Sequence, residues 1–180
     1  AYIEKVVSVH PFSVLMKWLY PSEPLSREVR KWVDSGLAYT CGEFELREVI
    51  KRNTTSIFSH LVAYEVGQKA NTFKIFPQRG DVWAIYNKWK PRPNTTHDCI
   101  PVLVVSQFNE DTGIVIVPLF RVDGYRSVFY VKEEGAIQCI PGREITRFSH
   151  QIPAHHLGGG DEALGLPDNS YDLDTSALSC

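Results

Sequence analysis

The sequence predicts a mostly β protein with two related small β-barrels packed together and one short helix. Many short runs rich in Val, Ile and aromatic residues are separated by Gly and Pro, which is typical of barrels and sandwiches. The tripeptide Phe-Ser-His occurs at residues 58–60 and again at 148–150, each time closing a β-rich segment, which indicates an internal duplication. We therefore expect a first repeat at residues 1–74, a second at 75–157 and an acidic C-terminal extension at 158–180.

The predicted strands begin with a hairpin near the start of the sequence. Residues 2–9 and 13–19 are β-rich and flank His10-Pro11, so we expect them to form its two arms. A second hairpin turn is predicted at residues 108–113, where Phe-Asn-Glu-Asp-Thr-Gly separates two Val/Ile-rich runs. Further strands are expected at residues 44–49, 56–66, 72–76, 81–86, 100–107, 113–122, 127–131 and 144–148.

The single predicted helix lies between the first hairpin and the next strand. Ser26 is a residue type that begins helices, and Val29, Trp32 and Val33 follow at the spacing of one helix face. Gly36 then supplies a stop. The pattern predicts a short helix with one apolar face.

Composition and charge exclude several classes of protein. The 180 residues are 43% hydrophobic and 22% charged, which is the balance of a folded globular protein rather than a disordered one. The longest apolar runs are far shorter than the roughly 20 residues that cross a bilayer, so we expect no membrane insertion. The net charge is −2 over the whole sequence and +3 (19 basic minus 16 acidic residues) over residues 1–160, which is too weak a positive field to indicate nucleic acid, so we do not expect DNA as a partner. The last 20 residues hold five acidic and no basic side chains, at positions 161, 162, 168, 172 and 174. 

Cysteine and histidine spacing argues against disulfides and metals. The four cysteines, at positions 41, 99, 139 and 180, are widely separated and form no CxxC pair, so reduced thiols of an intracellular protein are expected. The close groups of ligand residue types are residues 97–99 and 155–156, which do not make the paired spacing of a structural zinc site. We expect no metal and no other cofactor.

Several motifs along the chain resemble a known family. They are Ala1-Tyr2-Ile3-Glu4-Lys5-Val6, Trp18-Leu19-Tyr20-Pro21, Cys41-Gly42-Glu43-Phe44, Phe58-Ser59-His60, Gly80 to Tyr86, Arg147 to Pro153 and Tyr171-Asp172-Leu173-Asp174. Together they resemble the plant domain of unknown function found C-terminal in nuclear J-domain (Hsp40-type) proteins. The resemblance implies nuclear localisation and association with chromatin-bound transcriptional activation, without enzymatic activity. Family members usually have an earlier Val-Trp-Ala-like strand, which this sequence lacks.

The J-domain itself does not lie in this sequence. A J-domain acts on Hsp70 through a His-Pro-Asp turn between helices, whereas this chain offers His10-Pro11-Phe12 within a predicted hairpin. We therefore expect any contact with Hsp70 to occur only through a J-domain outside this chain.

The candidate binding site follows from the second repeat. The run Gly80-Asp81-Val82-Trp83-Ala84 looks like the opening strand of Tudor, PWWP and BAH-like barrels, several of which hold methylated lysine between aromatic rings. Strand alternation assigns Trp83 to the core. The predicted ligand-binding residues are Tyr86, Trp89, Phe120 and Tyr125 as aromatic walls and Asp123 as an acidic neighbour, and the expected partner is a histone tail or chromatin-protein peptide.

Three other interpretations concern the site aromatics, the basic residues around Trp89 and the two Ser-His pairs. The aromatics could instead pack the barrels, which would leave a docking scaffold for a transcriptional activator complex without a modified-residue pocket. Residues 88–92 interleave Lys and Arg with Trp89, which suits a phosphate backbone but is a small footprint. Neighbouring residues on a strand point to opposite faces, so Ser59 and Ser149 are not expected to use the adjacent histidines as bases, and no catalytic residue is predicted.

Overall fold

The computed structural model describes residues 2–87, 98–132, 137–158 and 165–179. It is mostly β, as predicted, and divides into two compact units. The first unit comprises Ala1–Ser26 and Gly42–Ile75, and the second comprises Arg27–Cys41 and Phe76–Cys180. The helical segment thus belongs to the second unit, whereas the sequence had placed it in the first repeat.

The first unit is a five-stranded antiparallel sheet with the order β1-β2-β3-β5-β4. The hairpin of β1 and β2 confirms the predicted opening hairpin. Val14 and Met16 on the second strand are fully buried and form the best-covered part of the sheet. The strands are β1 (Tyr2–Ser8), β2 (Ser13–Pro21), β3 (Gly42–Arg52), β4 (Glu65–Val66) and β5 (Thr72–Ile75).

The second unit is an eight-stranded sheet that curves into a half-barrel. Its strands are β6 (Val82–Tyr86), β7 (Cys99–Val104), β8 (Ile114–Arg121), β9 (Val128–Val131), β10 (Gln138–Ile140), β11 (Phe148–Gln151), β12 (Ala154–Leu157) and β13 (Ser170–Leu173). The order is β11-β6-β7-β8-β9-β13-β12, and β10 also pairs with β8. A 3-10 helix at Gly142–Arg147 leads into β11, and another at Thr175–Ala177 follows β13.

The predicted turn between β7 and β8 is confirmed in detail. Asn109 and Gly113 form a β-bridge, and the Asn109 side-chain oxygen accepts hydrogen bonds from the backbone N–H groups of Asp111 and Thr112. Gly113 has φ +83°, and a Cβ at this position would collide with the carbonyl of Ile140 on β10. Asn and Gly are therefore required here by the backbone conformation and by the close approach of a neighbouring strand.

Strand β6 is buried on both of its faces. Val82 and Ala84 belong to an apolar cluster with Leu119, Phe129, Ile152 and Leu173. On the opposite face, the ring of Trp83 packs edge-on against Phe148 with the ring centroids 5.9 Å apart. The predicted core position of Trp83 is confirmed.

The helix α1 (Arg27–Asp34) confirms the helix predicted from Ser26 to Gly36. Its buried residue is Trp32, whose indole N–H donates to the carbonyl of Ala38 at 3.0 Å. This bond satisfies the polar group of an otherwise apolar side chain, which lets Trp32 be buried. No helix in the described part of the chain is long and apolar enough to cross a membrane.

The acidic C-terminal extension is more firmly integrated than the sequence suggested. Strand β13 lies between β9 and β12 and is hydrogen-bonded to both. Ser170 and Leu173 are buried, and the backbone N–H of Leu173 donates to the carbonyl of Ser127. Residues 170–173 are therefore a strand of the sheet rather than a loosely held tail, and Leu173 anchors them in the core.

The two Phe-Ser-His tripeptides differ in backbone structure. Residues 148–151 form strand β11, whereas residues 58–60 lie outside any strand. Strand β11 exists because β6 pairs with it, and no strand pairs with residues 58–60 in the described part of the first unit. The duplication predicted from the tripeptides is therefore wrong at the level of matching secondary structure.

Candidate functional site

The hairpin of β8 and β9 carries three of the predicted site residues. Phe120 is 43% exposed and Tyr125 is 39% exposed, and Asp123 in the turn is exposed as well. The turn is closed by a hydrogen bond from the backbone N–H of Tyr125 to the carbonyl of Val122 at 3.1 Å. One short hairpin therefore presents two accessible aromatic rings and a carboxylate.

A fourth residue of this surface, Tyr130, was not predicted from the sequence. The register of the hairpin places Tyr130 directly opposite Phe120, and the two rings are tilted by 54° with their centroids 6.5 Å apart. The available signal was the hairpin pairing itself, which brings facing residues of β8 and β9 onto one face. We call Phe120, Asp123, Tyr125 and Tyr130 the hairpin patch.

Tyr86 does not present an accessible ring. It is only 5% exposed, and its ring packs against Trp32 of α1 with centroids 5.3 Å apart. Alternation along the strand assigned Tyr86 and Trp83 to opposite faces, but both faces of β6 are covered, so both residues are buried. Trp89, the other predicted wall, lies outside the described residues, as does the basic loop at 88–92.

A second aromatic surface lies on β2 of the first unit. Trp18 and Tyr20 are two residues apart on this strand, and both are partly exposed. The guanidinium of Arg47 lies over the Tyr20 ring, 4.5 Å from its centroid, and Arg47 Nε donates to Glu45 Oε1 at 3.0 Å. The Tyr20 ring and the Glu45 carboxylate together hold a cation here.

The second Ser-His pair forms a hydrogen bond that the sequence argument had excluded. Ser149 Oγ lies 3.1 Å from His150 Nδ1, and His150 Nε2 lies 2.8 Å from the carbonyl oxygen of Ala177. Because a carbonyl only accepts, Nε2 carries the proton and Ser149 donates to Nδ1. The register shifts at this point of β11, which breaks the strict alternation on which the exclusion rested.

The first Ser-His pair forms the same hydrogen bond between serine and histidine. It lacks the second hydrogen bond, which joins His150 Nε2 to a backbone carbonyl in the other pair. Ser59 Oγ lies 3.1 Å from His60 Nδ1, in a segment that is not a strand, so strand alternation does not apply. His60 Nε2 is buried and has no hydrogen-bond partner among the described residues. A Ser-His nucleophile needs an accessible serine and a histidine that a third group orients. Ser149 is buried, and no group among the described residues orients His60 through Nε2, so neither pair meets both conditions.

The cysteines differ from one another in state and environment. Burial raises the pKa of the Cys41 thiol far above its ordinary value, and the Asp81 carboxylate acts in the same direction. Cys139 is a free, exposed thiol, and Cys99 is disulfide-bonded, which the widely spaced cysteines did not predict. The described residues include no cluster of three or more His, Cys, Asp or Glu side chains that could hold a metal ion.

Comparison with known proteins identifies the family. A model of a family described as a domain of unknown function, DUF3444, matches residues 1–161. The chain belongs to this family. No curated protein and no solved structure matches it.

Proposed function

We propose that this chain is a non-enzymatic, chromatin-associated interaction module of a plant nuclear J-domain protein, and that the hairpin patch binds a histone or chromatin-protein peptide. The observation that carries the proposal is the pairing of Phe120 with Tyr130 on a hairpin whose turn carries the exposed Asp123. On this proposal the second unit is a Tudor, PWWP or BAH-like barrel that acts in the nucleus in transcription regulation, and Hsp70 is engaged only through a J-domain outside the chain.

The chemistry of the hairpin patch suits a methylated lysine side chain. A quaternary ammonium cannot donate hydrogen bonds, so it binds to aromatic faces through cation-π attraction, and a nearby carboxylate adds to the field. Phe120 and Tyr130 are tilted by 54°, so their faces are not stacked on each other.

Binding is favoured over catalysis by what surrounds the reactive groups. The Ser149 hydroxyl is buried, and the Cys41 thiol is buried with a raised pKa, so neither offers a nucleophile to substrate. The accessible groups of the hairpin patch are aromatic rings and the Asp123 carboxylate. Such surfaces on rigid β scaffolds are suited to recognising another molecule.

A docking scaffold without a modified-residue pocket is the second candidate. The observation that favours it is the distribution of exposed apolar side chains, most of which, among the described residues, belong to the first unit. Large exposed apolar surfaces mark protein interaction sites. In this version the chain docks a transcriptional activator complex, and the modification state of the partner has no effect.

Titration with histone-tail peptides in methylated and unmethylated forms separates the two candidates. We expect tighter binding of the methylated peptide, and we expect Phe120→Ala or Tyr130→Ala to weaken it about 5- to 30-fold, which corresponds to roughly 1 to 2 kcal/mol. Tyr64→Ala is the matched control, because Tyr64 is an exposed tyrosine of the first unit and should leave the affinity unchanged. Equal affinity for both peptides, or no binding of either, would favour the scaffold.

A further inference from the structure

Strand β13 continues the sheet face that carries the aromatic pair of the hairpin patch. Tyr130 on β9 lies opposite Phe120 on one side and opposite Ser170 of β13 on the other. Both pairings keep a regular register, and Asp172 lies two residues after Ser170, so the Asp172 side chain is on the face of Tyr130. The C-terminal strand therefore places a carboxylate on the side of the sheet where the two rings lie.

The register also sets how far Asp172 lies from the aromatic pair. Asp172 is directly opposite Val128, which is two residues before Tyr130, so Asp172 and Tyr130 are diagonal neighbours. Diagonal neighbours of an antiparallel sheet are roughly 7 to 8 Å apart, which lets a ligand on the Tyr130 ring reach the carboxylate. Asp172 lies in a strand that is paired on both sides, whereas Asp123 lies in a turn, so the position of the Asp172 carboxylate is more firmly set.

The Asp172 carboxylate is available to a ligand. The side chain is exposed, and no described residue forms a hydrogen bond or an ion pair with it. His155, directly opposite on β12, is exposed as well. The Arg121 guanidinium lies over the Phe129 ring, and these two residues alternate with Phe120 and Tyr130 along the hairpin, so Arg121 serves the other face. A cationic ligand can therefore pair with Asp172 without displacing a cation of this chain.

We propose that Asp172 is a specificity-determining residue of the hairpin patch, and that it selects mono- and dimethyl-lysine over trimethyl-lysine. The inference rests on the proposed function and adds a substrate class to it. The rings of Phe120 and Tyr130 attract any of these cations through their faces. Only an ammonium that keeps an N–H also donates a hydrogen bond to the carboxylate, and such charge-assisted bonds are stronger than neutral ones. Unmethylated lysine is strongly hydrated, so it loses more on leaving water.

The first test uses the intact chain and two small cations, trimethylammonium, which has one N–H, and tetramethylammonium, which has none. NMR chemical-shift titration follows the backbone amides of Phe120 and Tyr130. We expect trimethylammonium to bind about two- to fivefold more tightly, which is the range of an exposed ion pair. Asp172→Asn should remove this preference and Asp172→Glu should retain it. Both variants should keep the wild-type midpoint of urea unfolding, because Asp172 is exposed.

Asp111→Asn is the matched control for the change in charge. Asp111 is an exposed carboxylate of the same unit, in the turn that precedes β8. Phe120 lies near the other end of β8, about 20 Å away at the usual rise of a strand. We therefore expect Asp111→Asn to leave the preference between the two cations unchanged.

A second titration, with histone-tail peptides that carry dimethyl- or trimethyl-lysine, separates this inference from the proposed function. A preference for the dimethyl peptide that Asp172→Asn removes would support both. Peptide binding that Asp172→Asn leaves unchanged would reject the role of Asp172 and keep the proposed function. The expected cation preference without binding of any peptide would keep the role of Asp172 and reject the histone partner.

Three results of the cation titration would overturn the inference. They are equal affinity of the wild type for the two cations, an equal change in Asp172→Asn and Asp111→Asn, and the absence of saturable shifts at Phe120 and Tyr130 with either cation.

Discussion

The two Phe-Ser-His segments have the same sequence and the same Ser-His hydrogen bond, but only the second is part of a sheet. The second segment is strand β11, paired with β6, and its histidine is bonded to Ala177. The first has neither a pairing strand nor an acceptor for Nε2 among the described residues. Three residues are therefore enough to encode a local side-chain bond, whereas strand formation depends on partners distant in the sequence.

The same difference appears in how each unit covers its apolar side chains. In the second unit, Val82, Leu119, Phe129 and Leu173 share one buried cluster. In the first unit, the edge strand β1 leaves Ile3 and Val6 exposed, although they pair with the buried Met16 and Val14. The second unit buries these side chains in one cluster, whereas the first leaves apolar side chains of its edge strand exposed.

The largest effect is expected from removing residues 170–180. Because β13 lies between β9 and β12, its loss separates two strands and exposes the cluster around Leu173. We expect the second unit to lose cooperative unfolding, measured by urea denaturation with tryptophan fluorescence. An unchanged unfolding midpoint in the shortened chain would show that these residues are dispensable and would remove the main contrast between the units.

Removing an aromatic side chain should destabilise the second unit more than the first. Tyr86→Ala removes a buried ring from its contact with Trp32, and we expect it to lower the free energy of unfolding by about 3 to 5 kcal/mol. Tyr20→Ala removes a partly exposed ring of the first unit that contacts the Arg47 guanidinium, and about 0.5 to 1 kcal/mol is expected. Thermal melts of the two variants measure both losses of stability. Similar losses would contradict the expected difference between the units.

Alanine substitutions two positions after each histidine should also affect the two units differently, and each tests the burial of a single side chain. Ile152→Ala should destabilise the protein by about 2 to 5 kcal/mol because Ile152 is buried in the cluster of the second unit. Val62→Ala, at the matching position after His60, should change stability by less than about 0.5 kcal/mol because Val62 is exposed. Chemical denaturation measures both, and a large effect at Val62 would mean that the first segment is already covered.

The smallest difference between the two units is expected at the histidines themselves. His150→Phe leaves the carbonyl of Ala177 without its donor, so we expect a loss of about 1 to 3 kcal/mol. His60→Phe removes a buried donor that has no described partner, and stability should be unchanged or slightly higher. Equal destabilisation by both substitutions would indicate that His60 Nε2 has an acceptor in solution.

The elements that the sequence predicts well are those determined by nearby residues. The turn at Asn109 and Gly113 follows from side-chain-to-backbone hydrogen bonds and a positive φ, and α1 follows from Ser26 and the spacing of its apolar residues. The opening hairpin follows from two β-rich runs separated by His10-Pro11. All of these features arise within a few residues, so their signals are present in the local sequence.

The candidate site was harder to predict because its geometry is set by distant partners. Tyr86 has the residue type and position of a binding aromatic, but α1 contributes Trp32 and covers it. Tyr130 was missed because the pairing that places it beside Phe120 depends on the register of the hairpin. The integration of β13 was missed for the same reason, since acidic composition indicates a solvated tail unless the sheet edge that accepts the strand is known.

The place of β13 between β9 and β12 also constrains how the chain is synthesised. Val131 ends β9, and Leu173 ends β13, so a ribosome adding about 5 to 20 residues per second needs about 2 to 8 s between them. Throughout that interval the backbone edge of β9 has no neighbour from β13 and is open to pairing with other nascent chains. The second unit therefore completes its sheet only after residues 170–173 have been synthesised, and its yield in cells should depend on how well the exposed edge of β9 is shielded.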